Sequence, residues 1–231
     1  MHQEINKIKK YEGKAFVIKN FLTKAQVKNI QILYKKLPVE INNKRQKILK
    51  KKWSTHFLKE IQKIFLKKLK KKIGSFKCDN PKTKDEHESF GLFQESYKPV
   101  GLHVDTGFNF KKILFKQYLV PLSSTGGTVV FKNRFYGCST TFSIDPNELK
   151  AKGFNKRSSE HLKIFKGKDF DRKKYKKYLN HENIKNLKGL EIEMVYKWKL
   201  GEILVFDRTQ LHCSTSSFKN KKIGFTGLTC K

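Results

Sequence analysis

From Phe90 onward, short apolar runs alternate with turn residues, and this pattern limits the possible fold more than any other feature of the sequence. The runs are GLFQESY, GLHVD, KILFKQYLVPL, GTVVF, EIEMVYKW, EILVFD, LHCST and KIGFTGLTC. Short strands that are separated by Gly and Pro are typical of an antiparallel sandwich or a jelly roll. The sequence therefore predicts a mainly β fold.

The part of the chain before these runs has a different pattern, which predicts a strand and two helices. KAFVIKNFL, at 14–22, is typical of a strand, and TKAQVKNIQILYKKL after it is typical of a helix with Thr23 as its N-cap. From Ser54 to Gly74, apolar residues recur at helical spacing and lysines occupy the opposite face. Residues 39–52, between the two helices, are expected to form a basic connection.

The length of 231 residues suits one core, so residues 1–231 are expected to form a single domain. Residues 1–89 would supply the N-terminal strand and helices, and residues 90–231 the β core. A polar stretch rich in Lys, Ser and Asn, at about 133–190, would interrupt this core as an insertion. Loops of this size in a compact domain are usually functional lids or mobile segments.

The charge is strongly basic, with 52 Lys and Arg against 20 Asp and Glu and a formal net charge of +32. Basic surfaces suit polyanionic partners, because they neutralise phosphates and release counterions. Only five of these residues are arginines, however, and proteins that recognise bases or bind phosphates through two hydrogen bonds favour arginine. Codon drift in an AT-rich genome would also enrich Lys, Asn, Ile and Phe. Nucleic acid therefore stays open as a partner but is not favoured.

The cysteines and the N-terminus bear on the location of the protein. Its four cysteines form no C-x-x-C pair, and MHQEINKIKK is followed by no apolar segment of a signal peptide. No apolar run reaches the length of about 18 residues that a membrane span requires. The sequence therefore predicts a cytoplasmic protein with reduced thiols and no membrane partner.

GLHVDTG, at 101–107, places His103 and Asp105 two positions apart between two glycines. On a strand, residues i and i+2 point to the same side and lie about 6.5 Å apart along the chain. The pair could therefore offer two ligands to one metal ion. A capped surface turn explains the same two residues, so a metal site needs a third ligand.

His212 is the candidate for that third ligand. It follows the strand-like KLGEILVFD and lies within a second apolar run, LHCST. Two imidazoles and one carboxylate on one face of an iron ion leave positions for a co-substrate and O₂, as in non-haem Fe(II) oxygenases. An interior histidine with satisfied hydrogen bonds is the alternative for His212 taken alone.

In their order along the chain, these motifs resemble the 2-oxoglutarate- and Fe(II)-dependent dioxygenase superfamily, specifically its prolyl-hydroxylase-like and phytanoyl-CoA-hydroxylase-like branches. The resemblance covers about residues 90–231 and includes GLHVD, QYLVPLSSTGGTVVF, WKLGEILVFDRTQLHCS and KKIGFTGLT. It implies a double-stranded β-helix, or jelly roll, packed against N-terminal helices. It also implies that His103, Asp105 and His212 bind Fe(II), with 2-oxoglutarate and O₂ as co-substrates.

The resemblance also assigns residues to 2-oxoglutarate, whose far carboxylate is usually held in this family by a basic residue after the distal histidine. Lys222 lies ten positions after His212, and Lys221 is its competitor. Only one of two strand neighbours can face inward, and Thr226 would then share the inward face with Lys222, which favours Lys222. Tyr118, in QYLV, matches a tyrosine that often bonds the same carboxylate, although a packed core aromatic is an equal alternative.

The activity that the resemblance implies is hydroxylation, in which oxidation of a substrate C–H bond is coupled to decarboxylation of 2-oxoglutarate to succinate. A peptidyl or small-molecule substrate is expected, and a nucleic acid base stays open. Arg134, Arg208 and Gln94 are expected at the mouth of the barrel because they lie beside core strands. The alternative function is a non-catalytic basic jelly-roll module that binds nucleic acid, with salt-sensitive affinity and no response to iron.

Overall fold

The structure, a computed structural model, describes residues 2–107, 112–158, 168–217 and 220–231. The helices in this part of the chain are α1 (His2–Lys9), α2 (Lys24–Lys36), α3 (Lys59–Ile73), α4 (Pro146–Leu149) and α5 (Arg172–Lys174). A π-helical turn, Tyr175–Leu179, follows α5, and a 3₁₀ turn covers Ile184–Leu187. The strands are β1 (Phe16–Ile18), β2 (Ile41–Asn43), β3 (Ile48–Ser54), β4 (Lys77–Cys78), β5 (Ser89–Ser96), β6 (His103–Val104), β7 (Leu114–Pro121), β8 (Gly127–Arg134), β9 (Thr140–Ser143), β10 (Phe154–Lys156), β11 (Ile192–Lys197), β12 (Ile203–Asp207), β13 (Gln210–Ser214) and β14 (Lys222–Cys230).

The strands form two sheets. The first sheet has the order β1-β12-β7-β14-β5-β3-β2, with β4 paired to β14, and the second has the order β10-β9-β6-β13-β8-β11. Except for β8 and β11, which both lie in the second sheet, core strands alternate between the sheets along the chain, since β5, β7, β12 and β14 lie in the first and β6 and β13 in the second. This alternation is the topology of a jelly roll, and it confirms the predicted mainly β fold class.

The first sheet has a helix side and an inner side. In β12, Ile203 and Val205 pack in one buried cluster with residues of α2 and α3. Leu204 and Phe206, which alternate with them, pack in a separate cluster with Val130 of the second sheet. Because successive side chains of a strand point to opposite faces, the register decides which residues face the space between the sheets.

Helices α2 and α3 cover the helix side of the first sheet, as the sequence predicts. Thr23 caps α2, because its hydroxyl accepts a hydrogen bond from the Gln26 backbone N–H at 3.2 Å and its own N–H donates to the Gln26 side chain at 2.9 Å. Ile30 of α2 and Phe65 and Leu69 of α3 are completely buried in the cluster beneath. Burial of these apolar faces anchors both helices to the β core.

Two expectations for the region between these helices are wrong. The stretch 39–52 is not a simple connection, because it contains β2 and most of β3, and β3 pairs antiparallel with β5. Consecutive lysines hide the strand pattern, although Lys51 is buried and donates to the Tyr34 carbonyl oxygen at 2.9 Å. The helix expected from Ser54 begins at Lys59, since Ser54 ends β3 and Leu58 has φ of 53°, outside the right-handed helical region.

The insertion at about 133–190 adds β9 and β10 to the edge of the second sheet. Its apolar residues pack on the outer face of that sheet, against Val104, Val129 and Leu211. Within the insertion, the segment FDRKKYKKYL contains α5 and the π-helical turn. Residues 159–167 lie outside the described part of the chain. The described insertion therefore covers the second sheet on the side away from the inner space.

Candidate metal centre

The two predicted histidine ligands lie on neighbouring strands of the second sheet. Strands β6 and β13 pair antiparallel, and His103 is directly opposite His212 in their register. The centroids of the two imidazole rings are 4.0 Å apart. Their neighbours Val104 and Leu211 are buried in the outer cluster, so alternation turns both imidazoles inward. The sheet register therefore brings together two residues that are distant in the chain.

Asp105, just after β6, completes a group of three ligands. Its Oδ2 lies 3.3 Å from Nε2 of His212 and 3.8 Å from Nε2 of His103. One ligand atom from each residue lies within 4.8 Å of the others. Ligands at about 2.0 to 2.2 Å from a metal ion are about 3 Å from each other when they share one octahedral face, so small side-chain adjustments suffice. Among the described residues, no other group of three such side chains converges in this way.

Hydrogen bonds to the backbone orient both imidazoles. Nδ1 of His103 lies 2.7 Å from the Gly101 carbonyl oxygen, and Nδ1 of His212 lies 3.0 Å from the Gln210 carbonyl oxygen. When Nδ1–H donates to a carbonyl, Nε2 of a neutral imidazole keeps its lone pair for a metal ion. In both histidines Nε2 is the atom that faces Asp105. The backbone thus selects the tautomer that metal binding needs.

The charges of the site also suit a metal ion. Burial, with repulsion from His212, lowers the pKa of His103 to about 4. Burial alone would raise the pKa of Asp105, but the adjacent imidazoles of His212 and His103 outweigh it and the net pKa is lowered. At neutral pH His103 is therefore a neutral imidazole and Asp105 a carboxylate, the protonation states of metal ligands.

Several residues that the sequence did not indicate lie close to this group. Gln117 of β7 places its amide nitrogen 3.4 Å from Nε2 of His212, and the Phe206 ring lies edge-on 4.8 Å from the same imidazole. Lys50 of β3 is half-buried, and its charge contributes to the lowered pKa values of His103 and Asp105. Strand alternation could have indicated Gln117, but only after the inward face of β7 was known.

Arg208 is buried behind Asp105. Its guanidinium donates to the carbonyl oxygens of Asp105 at 3.2 Å and Thr106 at 2.9 Å, and to a carboxylate oxygen of Asp79 at 2.7 Å. The expectation that Arg208 lies at the mouth of the barrel is therefore wrong, because its donors are used within the fold. Arg134 is likewise an internal partner, since it pairs with Asp207 at 2.7 Å.

Lys222, at the start of β14, is buried on the inner side of the first sheet. Its ammonium donates to the Ser214 hydroxyl and lies 4.9 Å from the centroid of the Trp198 ring. Burial lowers its pKa to about 8. In the described part of the chain no carboxylate forms an ion pair with Lys222, whereas Lys221 is exposed and pairs with Glu95 at 3.3 Å. Alternation thus turns Lys222 inward, and its buried charge lacks an anionic partner.

The other two residues that the sequence assigned to the co-substrate lie on opposite faces of the first sheet. Thr226 shares the inner face with Lys222, and its hydroxyl donates to the Leu92 carbonyl oxygen at 3.3 Å. Tyr118 lies on the helix side, where its ring packs 5.1 Å from Phe65 and its hydroxyl donates to Phe90. The structure does not bring Tyr118 to the site and so corrects that assignment, because Tyr118 is the packed core aromatic of the alternative.

A separate concavity of about 890 Å³ lies on the helix side, between the C-terminal half of α2, the β2–β3 hairpin and the turn before α3. It is lined by none of the residues that the sequence assigned to the metal or the co-substrate. Its histidines, His56 and His87, have ring centroids 5.1 Å apart but are joined by no third ligand within the described residues. The metal centre is therefore the better candidate for the functional site.

The sequence predicts no membrane-spanning segment, and the helices of the structure bear on this prediction. Within the described residues, no helix combines the length and the apolar character that crossing a bilayer demands.

Comparison with known proteins gives no match at the level of sequence. No family model matches the chain, and no curated protein matches it.

Comparison with solved structures gives many matches at low sequence identity. An oxidoreductase of the 2OG-Fe(II) oxygenase family from Burkholderia pseudomallei aligns with a TM-score of 0.53 and 8% identity, over 98% of this chain and 89% of that chain. HygX from Streptomyces hygroscopicus, with nickel, 2-oxoglutarate and hygromycin B bound, has a TM-score of 0.51 and 9% identity, over 100% of this chain and 87% of that chain. The epimerase SnoN, in complex with Fe3+, alpha-ketoglutarate and nogalamycin RO, has a TM-score of 0.51 and 8% identity, over 100% and 84%. The chain therefore has the jelly-roll fold of the 2-oxoglutarate- and Fe(II)-dependent oxygenases.

Proposed function

We propose that the protein is a 2-oxoglutarate- and Fe(II)-dependent oxygenase, and more narrowly a hydroxylase. The observation that carries this proposal is the convergence of His103, Asp105 and His212 in the inner space that Lys222 also faces. The fold supports it, because structures with this fold bind 2-oxoglutarate together with nickel or iron. The site residues predicted from the sequence, except Tyr118, enter this proposal.

The three ligands fit Fe(II). Two imidazole nitrogens and one carboxylate oxygen are a donor set that iron accepts, and their positions on one side of the ion leave three coordination positions free. Asp105 supplies one negative charge, and its carboxylate is held between both Nε2 atoms. The hydrogen bonds of the two Nδ1 atoms keep the rings in place while these positions are filled.

When bound, Fe(II) with 2-oxoglutarate and O₂ supplies oxidative C–H chemistry in which 2-oxoglutarate loses CO₂ and becomes succinate. The chain contributes position and charge to this chemistry. Lys222 offers a buried ammonium to the far carboxylate, and Ser214 holds that ammonium in place. The Trp198 ring covers it on one side and excludes water. An anion here would satisfy a buried charge that forms no ion pair with any carboxylate among the described residues.

The substrate is proposed to be a peptidyl side chain or a small molecule. HygX and SnoN are structures of this fold that hold hygromycin B and nogalamycin RO, and these ligands are small molecules. The fold therefore accommodates substrates of this size beside a metal and 2-oxoglutarate. Oxidation of a C–H bond to an alcohol is the reaction proposed for this chain.

The proposal is tested by iron content and succinate formation in wild type, His212→Ala and the control His87→Ala. His87 is an exposed histidine outside the metal centre, so its loss should change neither quantity. Loss of His212 leaves a site of two ligands, so iron binding and succinate formation should fall to background. A His212→Ala protein with full iron content and full succinate formation would end the assignment. A non-catalytic module would form no iron-dependent succinate in any of the three proteins.

A further inference from the structure

The solvent side of α2 and α3 is almost entirely lysine. The two helices carry eleven lysines, all exposed, and a single acidic residue, Glu60. We call these lysines the helix-side basic surface. They are Lys24, Lys28, Lys35, Lys36, Lys59, Lys63, Lys67, Lys68, Lys70, Lys71 and Lys72.

Basic residues are concentrated in the part of the sequence that contains these two helices. Residues 19–78 hold 19 basic and 2 acidic residues, whereas the rest of the chain holds 33 basic and 18 acidic residues. Eleven of these 19 basic residues lie on α2 and α3, which pack on the same side of the first sheet, so the fold places these eleven lysines on one side of that sheet.

The apolar residues of α3 are used by the core and are not available to a lipid bilayer. Ile61, Phe65 and Leu69 are buried against the first sheet, and Ile64 is the exposed apolar residue of this helix. Helices that bind in a membrane interface insert a continuous apolar face beside their basic residues. Ile32 is the exposed large apolar residue of α2, so each helix offers its lysines with one such residue and no continuous apolar face, which favours a polyanion in solution over a membrane.

The spacing of the lysines suits a row of phosphates. Lys59, Lys63, Lys67 and Lys71 recur every four residues, so their side chains follow one stripe along the helix. At 1.5 Å per residue this stripe is about 18 Å long. A nucleic acid duplex carries about one phosphate charge per 1.7 Å of axis, so several phosphates lie within reach of the stripe.

We propose that the helix-side basic surface binds the phosphate backbone of a nucleic acid duplex without reading its sequence. Lysine is a point charge that lacks the bidentate geometry of arginine, and neither α2 nor α3 contains an arginine. Contacts of this kind give affinity and position but no base specificity. The surface lies on the opposite side of the first sheet from the metal centre, so this binding is independent of the proposed oxygenase function.

The test is fluorescence anisotropy with a labelled duplex DNA of mixed sequence, titrated at several salt concentrations. The first variant replaces the α3 stripe by K59Q/K63Q/K67Q/K71Q, and the second replaces the α2 lysines by K24Q/K28Q/K35Q/K36Q. The matched control is K173Q/K174Q/K176Q/K177Q, which removes four exposed lysines from α5 and the π-helical turn on the second sheet. Circular dichroism checks that every variant is folded.

Wild type should bind with log K falling linearly against log salt. Loss of four phosphate contacts should reduce the magnitude of this slope by about 3 to 4 and weaken binding at least about tenfold, while the control should resemble wild type. Absence of saturable duplex binding would overturn the proposal, as would equal losses in the control and the α3 variant. Tighter binding to phosphatidylserine vesicles than to the duplex would also overturn it, because the partner would then be a membrane surface. Succinate formation should be unchanged in the α2 and α3 variants.

Discussion

Arg208 holds the backbone of the proposed metal ligand Asp105 from the protein side, with its Nε donating to the Asp105 carbonyl oxygen at 3.2 Å. The same guanidinium is 1% exposed and also bonds Thr106, Asp79 and the Thr229 carbonyl oxygen. It therefore links three separate segments of the chain at the point where the ligand loop leaves β6. Arg208 is a positioning residue, because it acts on the metal through Asp105.

Arg208→Lys should weaken metal binding although all three ligands remain. Lysine keeps the positive charge but cannot make several fixed bonds at once, so the Asp105 loop would lose its geometry. Outer partners of metal ligands typically contribute about 10- to 100-fold to metal affinity, and we expect a loss in this range. Isothermal titration with Mn(II), which avoids oxidation of the metal, measures the affinity directly.

The control for this prediction is Arg134→Lys. Arg134 also pairs with a buried aspartate, Asp207, but no bond joins it to the Asp105 loop in the described structure. The substitution Arg134→Lys should lower the melting temperature and leave the Mn(II) affinity as in wild type. Equal losses of affinity in both variants would show that general destabilisation, and not the position of Asp105, is responsible.

Metal binding should stabilise the fold, because the ligands come from segments that are brought together only in the native state. A ligand at 100 times its dissociation constant adds about 2.7 kcal/mol to the free energy of unfolding. Mn(II) should therefore raise the melting temperature of wild type and of the His87→Ala control. His103→Ala should show no rise, and a rise of wild-type size in that variant would exclude His103 as a ligand.

Lys222→Met should make the protein more stable in the absence of 2-oxoglutarate. Burial lowers the Lys222 pKa to about 8, below the value of about 10.4 for an unfolded lysine. The unfolded chain therefore binds more protons between these pH values, and the free energy of unfolding of wild type should rise with pH across this window. Below about pH 8 the buried charge should destabilise the fold by a constant amount of about 3 kcal/mol. The Lys222→Met variant should show neither this rise with pH nor this destabilisation.

The same substitution should abolish binding of 2-oxoglutarate. A methionine fills the space but offers no charge to the far carboxylate, so stability and function should change in opposite directions. Denaturant unfolding at neutral and alkaline pH measures the first effect, and titration of 2-oxoglutarate into the Mn(II)-loaded protein measures the second. Lys221→Met is the control, since Lys221 is exposed and pairs with Glu95. A Lys222→Met protein that binds 2-oxoglutarate like wild type would contradict the assignment.

Tyr118→Phe should leave the affinity for 2-oxoglutarate unchanged. The hydroxyl of Tyr118 donates to the Phe90 carbonyl oxygen on the helix side of the first sheet. Its removal should lower the free energy of unfolding by about 1 kcal/mol, as for a typical intramolecular hydrogen bond. Thermal unfolding and 2-oxoglutarate titration measure the two quantities. A large loss of affinity would show that the Tyr118 hydroxyl contributes to binding of 2-oxoglutarate.

The three proposed metal ligands could be identified from the sequence because each lies in a short strand-like pattern. His103 and Asp105 share a strand face through their spacing, and His212 lies in a run that is apolar enough to be a core strand. The same alternation separates Lys222 from Lys221, because Lys222 shares one face of β14 with Thr226 and Lys221 does not. The periodicity of single strands assigns these residues to strand faces, whereas their grouping around one metal ion and its co-substrate comes from the resemblance to a known family.

The predictions that failed depend on contacts between distant segments. Gln117 and Tyr118 are neighbours on β7, and the sequence does not tell which of them faces inward until the helix-side cluster is known. The role of Arg208 rests on Asp79, Asp105 and Thr229, which lie far from it along the chain. In β3 the lysines concealed a strand, since burial of their aliphatic stems depends on what packs over them.

The cross-strand pairing of His103 and His212 has a consequence for the order of events during synthesis. A growing chain that has emerged only as far as β12 carries two of the three proposed ligands, and β6 can then pair with β9 but not yet with β13, which carries His212. Slippage of β13 by one residue would turn its imidazole to the opposite face of the sheet. Binding of a metal ion by all three proposed ligands thus requires that β13 has first paired with β6 in the correct register.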